Sequence, residues 1–180
     1  GHHTRWDVLL GGSLPPLGSV ASDGSPPLIA YESAPLAEPL ELTGAPRLFL
    51  WLTSTASDGA FFATLEDVTP DGRVIPLTEG QLRALQRRLA EPPQPGAALA
   101  RSFLRADARP LIPGEPAELV FDLEPTSYRF AAGHRVRLSL AGAERDHFAR
   151  VPAAGEVRLR FHRDRLRPSR LELPIALQER

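Results

Sequence analysis

Short apolar runs separated by turn residues recur along the chain, and this pattern restricts the fold more than any other feature. In residues 133–140, one face of an extended segment carries His134, Val136, Leu138 and Leu140, and the other carries Arg135, Arg137 and Ser139. Successive side chains of a β-strand point to opposite faces, so the alternation predicts a strand with one buried side. We expect His134 to be buried and Arg135 and Arg137 to be exposed.

Similar runs occupy residues 28–32, 40–42, 48–52, 61–65, 118–123, 157–161 and 171–175. Strands this short and frequent predict an antiparallel all-β fold, whereas a parallel α/β fold would need regular helical segments between them. Residues 48–52 are apolar on both faces, which predicts a central strand with Trp51 buried. The triplet Pro70-Asp71-Gly72 predicts a hairpin, because proline presets the first turn angle and glycine accepts a positive φ.

Residues 78–90 carry conflicting signals. Three leucines there have helical spacing, and Thr78 with Gln81 has the form of a helix-capping box. Gly80 disfavours a helix, since glycine destabilises helix interiors. The family resemblance described below favours a strand, which is our expectation for this segment.

Composition excludes several classes of chemistry. The 180 residues include no Cys, Met, Lys or Asn, which removes thiolate nucleophiles, zinc–thiolate sites, lysine Schiff bases and N-glycosylation. The 21 basic residues, all Arg, and 22 acidic residues give a net charge of -1, so we expect no nucleic-acid partner. No run approaches the ~18 apolar residues of a membrane span, so we expect no membrane partner either.

The length suits one domain with an arm. We interpret residues 1–3 as a tag remnant, because Gly1-His2-His3 without an initiator Met indicates an excised piece. Residues 4–27, rich in Gly and Pro, form the expected N-terminal arm, with one apolar run beginning at Trp6. Residues 28–180 form the expected globular domain, since 42% of the chain is apolar and that suffices for a core.

The patterns expected of a catalytic site are weak. A serine hydrolase usually places its nucleophile in a Gly-x-Ser-x-Gly elbow, and Ser13 in the arm has proline at the last position. Asp146 and His147 are adjacent, and adjacent side chains of an extended segment face opposite ways, so they form no ready dyad. We expect His134 to anchor a neighbouring turn through a ring nitrogen, and we assign no catalytic residue.

The sequence also lacks a pattern typical of a metal site. His134, His147 and His162 have no ligand-type spacing, and His162 alternates with arginines on a face expected to be solvated. Asp67 with Asp71 could hold calcium, but the hairpin turn is a sufficient explanation for Asp71. We therefore expect neither a metal nor a cofactor.

Five segments, in order, resemble one family. They are residues 31–36 with 41–44, residues 67–72, residues 77–83, residues 111–116, and residues 125–138, which end in Gly-His-Arg-Val-Arg-Leu. Together they resemble the C-terminal domain of X-Pro dipeptidyl-peptidase and cocaine-esterase-like (CocE/NonD) hydrolases, over about residues 28–175. Each segment alone is common, but the ordered set is specific.

The resemblance implies a jelly-roll β-sandwich of the galactose-binding-like kind. In that family the sandwich follows an α/β-hydrolase domain with a Ser, Asp and His triad, packs on it and helps to shape its active site. The parent protein would then cleave esters, or dipeptides from X-Pro termini. The α/β-hydrolase domain is missing here, so no catalytic residue carries over. Residues 89–104 are longer and richer in Pro and Ala than the family leads us to expect.

Our leading hypothesis is a non-catalytic accessory domain whose partner is the α/β-hydrolase domain of the same parent chain, with a homodimer also open. Its docking or structural candidates are His134, Arg135, Phe148, Arg150 and Trp6. The alternative is a carbohydrate-binding jelly-roll module, which would stack sugars on exposed aromatics, although only 7% of the residues are aromatic. A third hypothesis is a stand-alone enzyme that uses Asp146 and His147.

Overall fold

The structure is a computed structural model that describes residues 29–143 and 148–176. Its strands are β1 (Ile29–Glu32), β2 (Leu40–Gly44), β3 (Arg47–Ser54), β4 (Ala60–Val68), β5 (Val74–Arg83), β6 (Pro116–Asp122), β7 (Thr126–Phe130), β8 (Arg135–Ala141), β9 (Leu159–Phe161) and β10 (Arg170–Glu172). Two single-turn 3₁₀ helices cover Ala84–Gln86 and Arg105–Asp107. No α-helix occurs in these two described ranges.

The strands form an antiparallel β-sandwich, as the sequence predicts. One sheet has the order β1-β8-β4-β5, and the other has the order β10-β3-β6, with β9 also pairing with β3. Strands β9 and β10 share one edge of β3, opposite β6, so β3 is the central strand that its apolar run predicts. Strands β2 and β7 form a separate pair.

The core lies between the two sheets. It is built from alternate residues of β3, β4, β6 and β8, together with side chains of β2, β5 and β7: Leu48, Leu50, Leu52, Phe61, Ala63, Leu65, Leu119, Phe121, Leu138, Leu140, Leu42, Leu82 and Phe130. Burial of this apolar surface stabilises the fold by about 25 cal/mol per Å².

The outward faces of the two sheets depart from the sequence predictions. Arg135 is exposed as predicted, but Arg137 is not, because its side chain is ion-paired and only 16% exposed. His134 is half-buried rather than buried. The prediction that Trp51 is buried was also wrong, because its neighbours Leu50 and Leu52 face the core and Trp51 therefore lies half-buried on the outer face of β3.

The strand expected within residues 78–90 is confirmed as far as Arg83, where β5 ends and a 3₁₀ turn begins. Gly80 permits a close approach rather than a turn. A Cβ at Gly80 would lie 2.6 Å from the carbonyl oxygen of Asp122, so any side chain there would collide with the end of β6. The hairpin between β4 and β5 is also confirmed, with Gly72 at φ 87°.

Residues 85–110 form a strap that runs over the outer face of β3 and β6 and returns. The two ends of the strap, which we term its feet, meet where the backbone N–H of Arg109 donates to the carbonyl of Leu85 at 2.9 Å. Arg47 of β3 donates to the carbonyls of Gln94 and Ala97, at the far turn of the strap. The strap is therefore anchored to the sandwich along its length.

At one end of the sandwich the chain enters β1, and strands β5 and β8 end there as well. Ile29 begins β1 opposite Leu140, where β8 ends, and the strap feet lie directly after the end of β5 on the same side. We term this end the proximal end. The opposite, distal end carries the β4–β5 hairpin turn.

Candidate functional site

Two adjacent carboxylates near the end of β4 are completely buried and point to opposite faces of the sheet. Asp67 and Glu66 both have 0% exposure. Asp67 shares the side of the strand that Leu65 and Ala63 turn toward the core, and Glu66 lies on the outer face. A buried charge is costly unless it is paired and hydrogen-bonded, so the partners of each carboxylate are informative.

Asp67 has partners for both of its oxygens. The hydroxyl of Tyr128, on β7, donates to Oδ2 at 2.8 Å. Nδ1 of His134, just before β8, lies 2.9 Å from Oδ1 and 2.8 Å from Oδ2. Burial, followed by the hydrogen bond to Asp67, raises the pKa of Tyr128 to about 12. This carboxylate therefore joins β4, β7 and the start of β8.

His134 contacts a carboxylate rather than the neighbouring turn that the sequence suggested. Its carbonyl, not its ring, holds a turn, by accepting from the N–H of Leu36 at 2.8 Å. An imidazole on a buried carboxylate has the form of the base in a hydrolytic triad. Within the described residues, however, no hydroxyl nucleophile hydrogen-bonds to the other ring nitrogen. The arrangement is suited to holding strands together.

Glu66 has partners on one oxygen only. Its Oε2 accepts from Nε of Arg137 and from the hydroxyl of Ser139, each at 2.6 Å. Its Oε1 is buried and has no hydrogen-bond partner among the described residues. Arg137 also lies 3.8 Å from Glu32. The outer face of this sheet thus carries a buried ionic cluster with one unused acceptor.

An open cleft of about 480 Å³ borders this cluster at the distal end. It is lined by Glu32, Arg135 and Arg137 from the strands and by Pro35, Pro70 and Gly72 from turns. Arg135 lies 3.7 Å from Glu32, and its side chain is 47% exposed. Because the cleft mixes both charges and is open to water, it has none of the enclosed apolar character typical of small-molecule sites.

The remaining docking candidates fall into two groups. Phe148 packs its ring on Phe62, on the outer face of β4, with centroids 5.1 Å apart. Arg150 is exposed and donates to the carbonyl of Gly155. Trp6 in the arm, and the Asp146 and His147 of the stand-alone-enzyme hypothesis, lie outside the described residues. The structure therefore brings neither His134 nor Arg135 together with Phe148.

The arrangement most similar to a nucleophile with its base was not evident from the sequence. Nε2 of His162 lies 2.8 Å from the hydroxyl of Thr53, and its Nδ1 lies 4.0 Å from Asp164. The prediction that His162 is solvated was wrong, since its side chain is only 10% exposed. A separation of 4.0 Å is too long for the hydrogen bond that orients a catalytic histidine. Asp164 instead caps its own turn, accepting from the N–H of Leu166 at 2.8 Å.

Metal-binding and membrane features give no further site. The described residues contain no group of three or more His, Asp or Glu side chains placed to hold a metal ion. Asp71, considered above for calcium, accepts from the hydroxyl of Thr69, and that hydrogen bond lowers the pKa of Asp71. No helix in the described ranges has the length and apolar character needed to cross a bilayer.

Comparisons of sequence agree on one family. The model of the X-Pro dipeptidyl-peptidase C-terminal non-catalytic domain matches residues 16–172. A Mycobacterium bovis protein named "Putative serine esterase" is 48% identical over 179 residues, which are 97% of this chain and 28% of that protein. Cocaine esterase of Rhodococcus sp. is 29% identical over 160 residues, covering 82% of this chain and 25% of that enzyme. The chain thus spans less than a third of these relatives.

Comparisons of structure agree on the fold. A CocE/NonD family hydrolase from Staphylococcus aureus superposes with a TM-score of 0.69 at 17% identity, covering 83% of this chain and 30% of that one. An α-amino acid ester hydrolase superposes with a TM-score of 0.67 at 22% identity, covering 86% of this chain and 26% of that one. Both similarities concern a β-sandwich that makes up a minor part of a longer chain.

Proposed function

Because this chain belongs to the family of X-Pro dipeptidyl-peptidase C-terminal non-catalytic domains, we propose that it is the accessory domain of a serine hydrolase. In this proposal it docks on the α/β-hydrolase domain of its parent chain and helps to shape that domain's active site. The parent acts on esters or on X-Pro peptides, and this domain supplies no nucleophile.

The observation that carries the proposal is the family match over residues 16–172, to a domain described as non-catalytic. The curated relatives support it, since a serine esterase by name is 48% identical yet has only 28% of its length covered. The rest of such a protein has room for a catalytic domain. The geometry around His134 and His162 is consistent with this division of labour, because neither has both a nucleophile and an orienting carboxylate at hydrogen-bond distance among residues 29–143 and 148–176.

The docking surface that we propose includes the loop after β8, at the proximal end. Phe148 covers Phe62 there, and Arg150 is exposed nearby in sequence. An apolar side chain beside an arginine suits an interface between domains of one chain, which typically covers about 600–1,500 Å² and is fairly polar. Trp6, in the arm that precedes β1, is a second candidate contact.

The proposal is tested by comparing three polypeptides: the parent protein, the parent shortened to end before residue 28, and this chain alone. Hydrolysis of activated esters and X-Pro anilides is measured for each. We expect turnover by the parent, weaker turnover by the shortened protein, and none above background by this chain. Turnover by this chain that survives repurification and disappears in a His147→Ala or His162→Ala variant would contradict the proposal.

A carbohydrate-binding module stays the second candidate, and one observation favours it. Trp51 is half-buried on the outer face of β3 rather than enclosed in the core, and a partly exposed aromatic ring is the kind of side chain on which sugars stack. Its backbone is tied to the segment after β9, since its N–H donates to Ser169 and its carbonyl accepts from His162. Glycan-array binding that is lost in a Trp51→Ala variant would move the assignment to this function.

A further inference from the structure

We propose that Phe103 and Leu104, an apolar pair in the returning half of the strap that we term the tip, are a preformed anchor that inserts into an apolar surface rimmed by carboxylates on the parent's catalytic domain. This inference rests on the proposed function and adds a contact that the family match does not specify. It concerns residues well separated in sequence from the loop that contains Phe148.

The tip is more exposed than an unpartnered apolar pair of this size should be. Phe103 is 66% exposed and Leu104 is 61% exposed. Phe103 also has φ 54°, the left-handed region that residues with a side chain rarely adopt. Such a conformation persists only where the surrounding structure imposes it, and it is often part of a functional contact.

Hydrogen bonds on either side of the tip impose this conformation. The hydroxyl of Ser102 donates to Asp107 at 2.6 Å and accepts from the N–H of Leu104 at 3.3 Å. Asp107 also pairs with Arg88, in the outgoing half of the strap. The backbone that carries the aromatic ring is therefore held in one conformation, and a partner that binds the ring does not have to order that backbone.

The strap beneath the tip is anchored rather than loose. Arg101 donates to the carbonyls of Gln86 and Val120, which joins the returning half of the strap to its outgoing half and to β6. Partial burial lowers the pKa of Arg101. The hydrogen bonds of this guanidinium to Gln86 and Val120 hold the returning half of the strap on the second sheet, two residues before the tip.

The tip lies close to the proximal end of the sandwich, and this position indicates which partner would bind it. The carbonyl of Leu104 accepts from Asp107 in the 3₁₀ turn that reaches Arg109 and the strap foot at Leu85. Ile112, 59% exposed, lies on the following turn. The chain that precedes Ile29 joins the sandwich at this same end. In the proposed parent, the segment that leads to the catalytic domain therefore enters the sandwich at the end to which this apolar surface belongs.

The charged side chains near the tip indicate what kind of surface would bind it, and they disfavour a second copy of this domain as the partner. Arg105 and Arg109 flank the tip and are exposed. The pKa of Arg87 is lowered by burial and by the nearby Arg109. Asp107 interacts with Arg88 and Arg109, so arginines outnumber carboxylates at this foot. A symmetric dimer through this surface would place these arginines against their own copies. An apolar surface rimmed by carboxylates is complementary to it instead.

The test places a photo-crosslinking benzoylphenylalanine at position 103 of the full parent chain, with position 175 as control. Ile175 is 51% exposed but bridges to Leu42 of β2 rather than lying near the strap feet. We expect position 103 to crosslink to a peptide of the upstream catalytic domain and position 175 not to do so. Crosslinks confined to this domain, crosslinks between two copies, or no crosslinks at position 103 would overturn the inference.

Position 148, probed in the same way, separates this inference from the proposed function. If position 148 crosslinks upstream and position 103 does not, docking stands and the tip is not an anchor. If neither does, the docking proposal fails as well.

As a second readout, Phe103→Ser should speed amide exchange in the crosslinked upstream peptide by roughly tenfold or more, as for loss of an aromatic anchor, and Ile175→Ser should leave it unchanged. Equal exchange in the two variants would also overturn the inference.

Discussion

Asp67 and Glu66 are neighbours on β4, both fully buried, and they differ in how completely their charge is satisfied. Asp67 faces inward, and both of its oxygens have partners, in Tyr128 and His134. Glu66 faces outward, and one of its oxygens has no partner in the described part of the chain. The two positions therefore allow a comparison between the inner side and the outer side of the same sheet.

The two carboxylates differ in what their partners join. Asp67 receives donors from Tyr128 on β7 and from His134, just before β8, so it joins three parts of the sandwich. Among the described residues, Glu66 receives donors on Oε2 alone, from Arg137 and Ser139, which both belong to β8. Because an unsatisfied buried acceptor costs about 1–3 kcal/mol, we expect the inner cluster to contribute more to stability than the outer one.

Removal of the inner carboxylate should have the largest effect. In Asp67→Ala, the buried hydroxyl of Tyr128 and the ring of His134 lose their acceptor. We predict that the free energy of unfolding falls by about 3 kcal/mol, as for a broken buried polar network. Urea denaturation measures this, with Glu156→Ala, at a carboxylate 75% exposed, as the control. A smaller loss than in Glu66→Ala would reverse the comparison.

Removal of the outer cation should have an intermediate effect. Arg137→Ala leaves the Glu66 carboxylate buried, with Ser139 as its one remaining partner among the described residues. We predict a loss of about 2 kcal/mol, since a buried charge without its ion-pair partner is costly but the Ser139 hydroxyl still donates to Oε2. Arg135→Ala is the matched control, because its side chain is 47% exposed and its ion pair with Glu32 is long. Equal losses for the two arginines would show that the outer cluster carries no special stability.

Loss of one donor to Asp67 should have the smallest effect and a pH signature. Tyr128→Phe removes one hydrogen bond and should cost about 1 kcal/mol near neutral pH. The pKa of Tyr128 is raised from 10.0 to about 12 in the folded state, so its contribution is complete below pH 10 and is lost as the pH rises toward 12. The stability difference between wild type and variant should therefore shrink over that range. A difference independent of pH would contradict the assignment.

The sequence predicted the strands well, because period-two alternation follows directly from strand geometry. It also predicted the core-facing set of β8, whose residues Val136, Leu138 and Leu140 pack in or against the core. It failed for Arg137 and Trp51, because alternation assigns residues to the two faces of a strand but does not show whether the outer face is covered by other parts of the protein. Glu66 carried a weak signal, as one of two adjacent acidic residues ending an apolar run.

The strap illustrates a second limit. Its Pro- and Ala-rich composition marked a departure from the family, but no local pattern indicated where it would lie. Its path depends on Arg47 and Arg101, which donate to carbonyls distant in sequence. Long-range contacts of this kind leave no periodic trace. The left-handed φ of Phe103 is held by hydrogen bonds among Ser102, Leu104 and Asp107, and no sequence pattern predicted it.

Amide hydrogen exchange, compared between this chain alone and the same residues within the parent protein, tests the central claim most directly. If the domain docks through its proximal end, exchange should slow in the parent around residues 103–105 and 148–152. It should stay unchanged in β2 and β7, which already pair with each other along their length. Identical exchange in both contexts, or protection confined to the distal hairpin turn, would contradict the account.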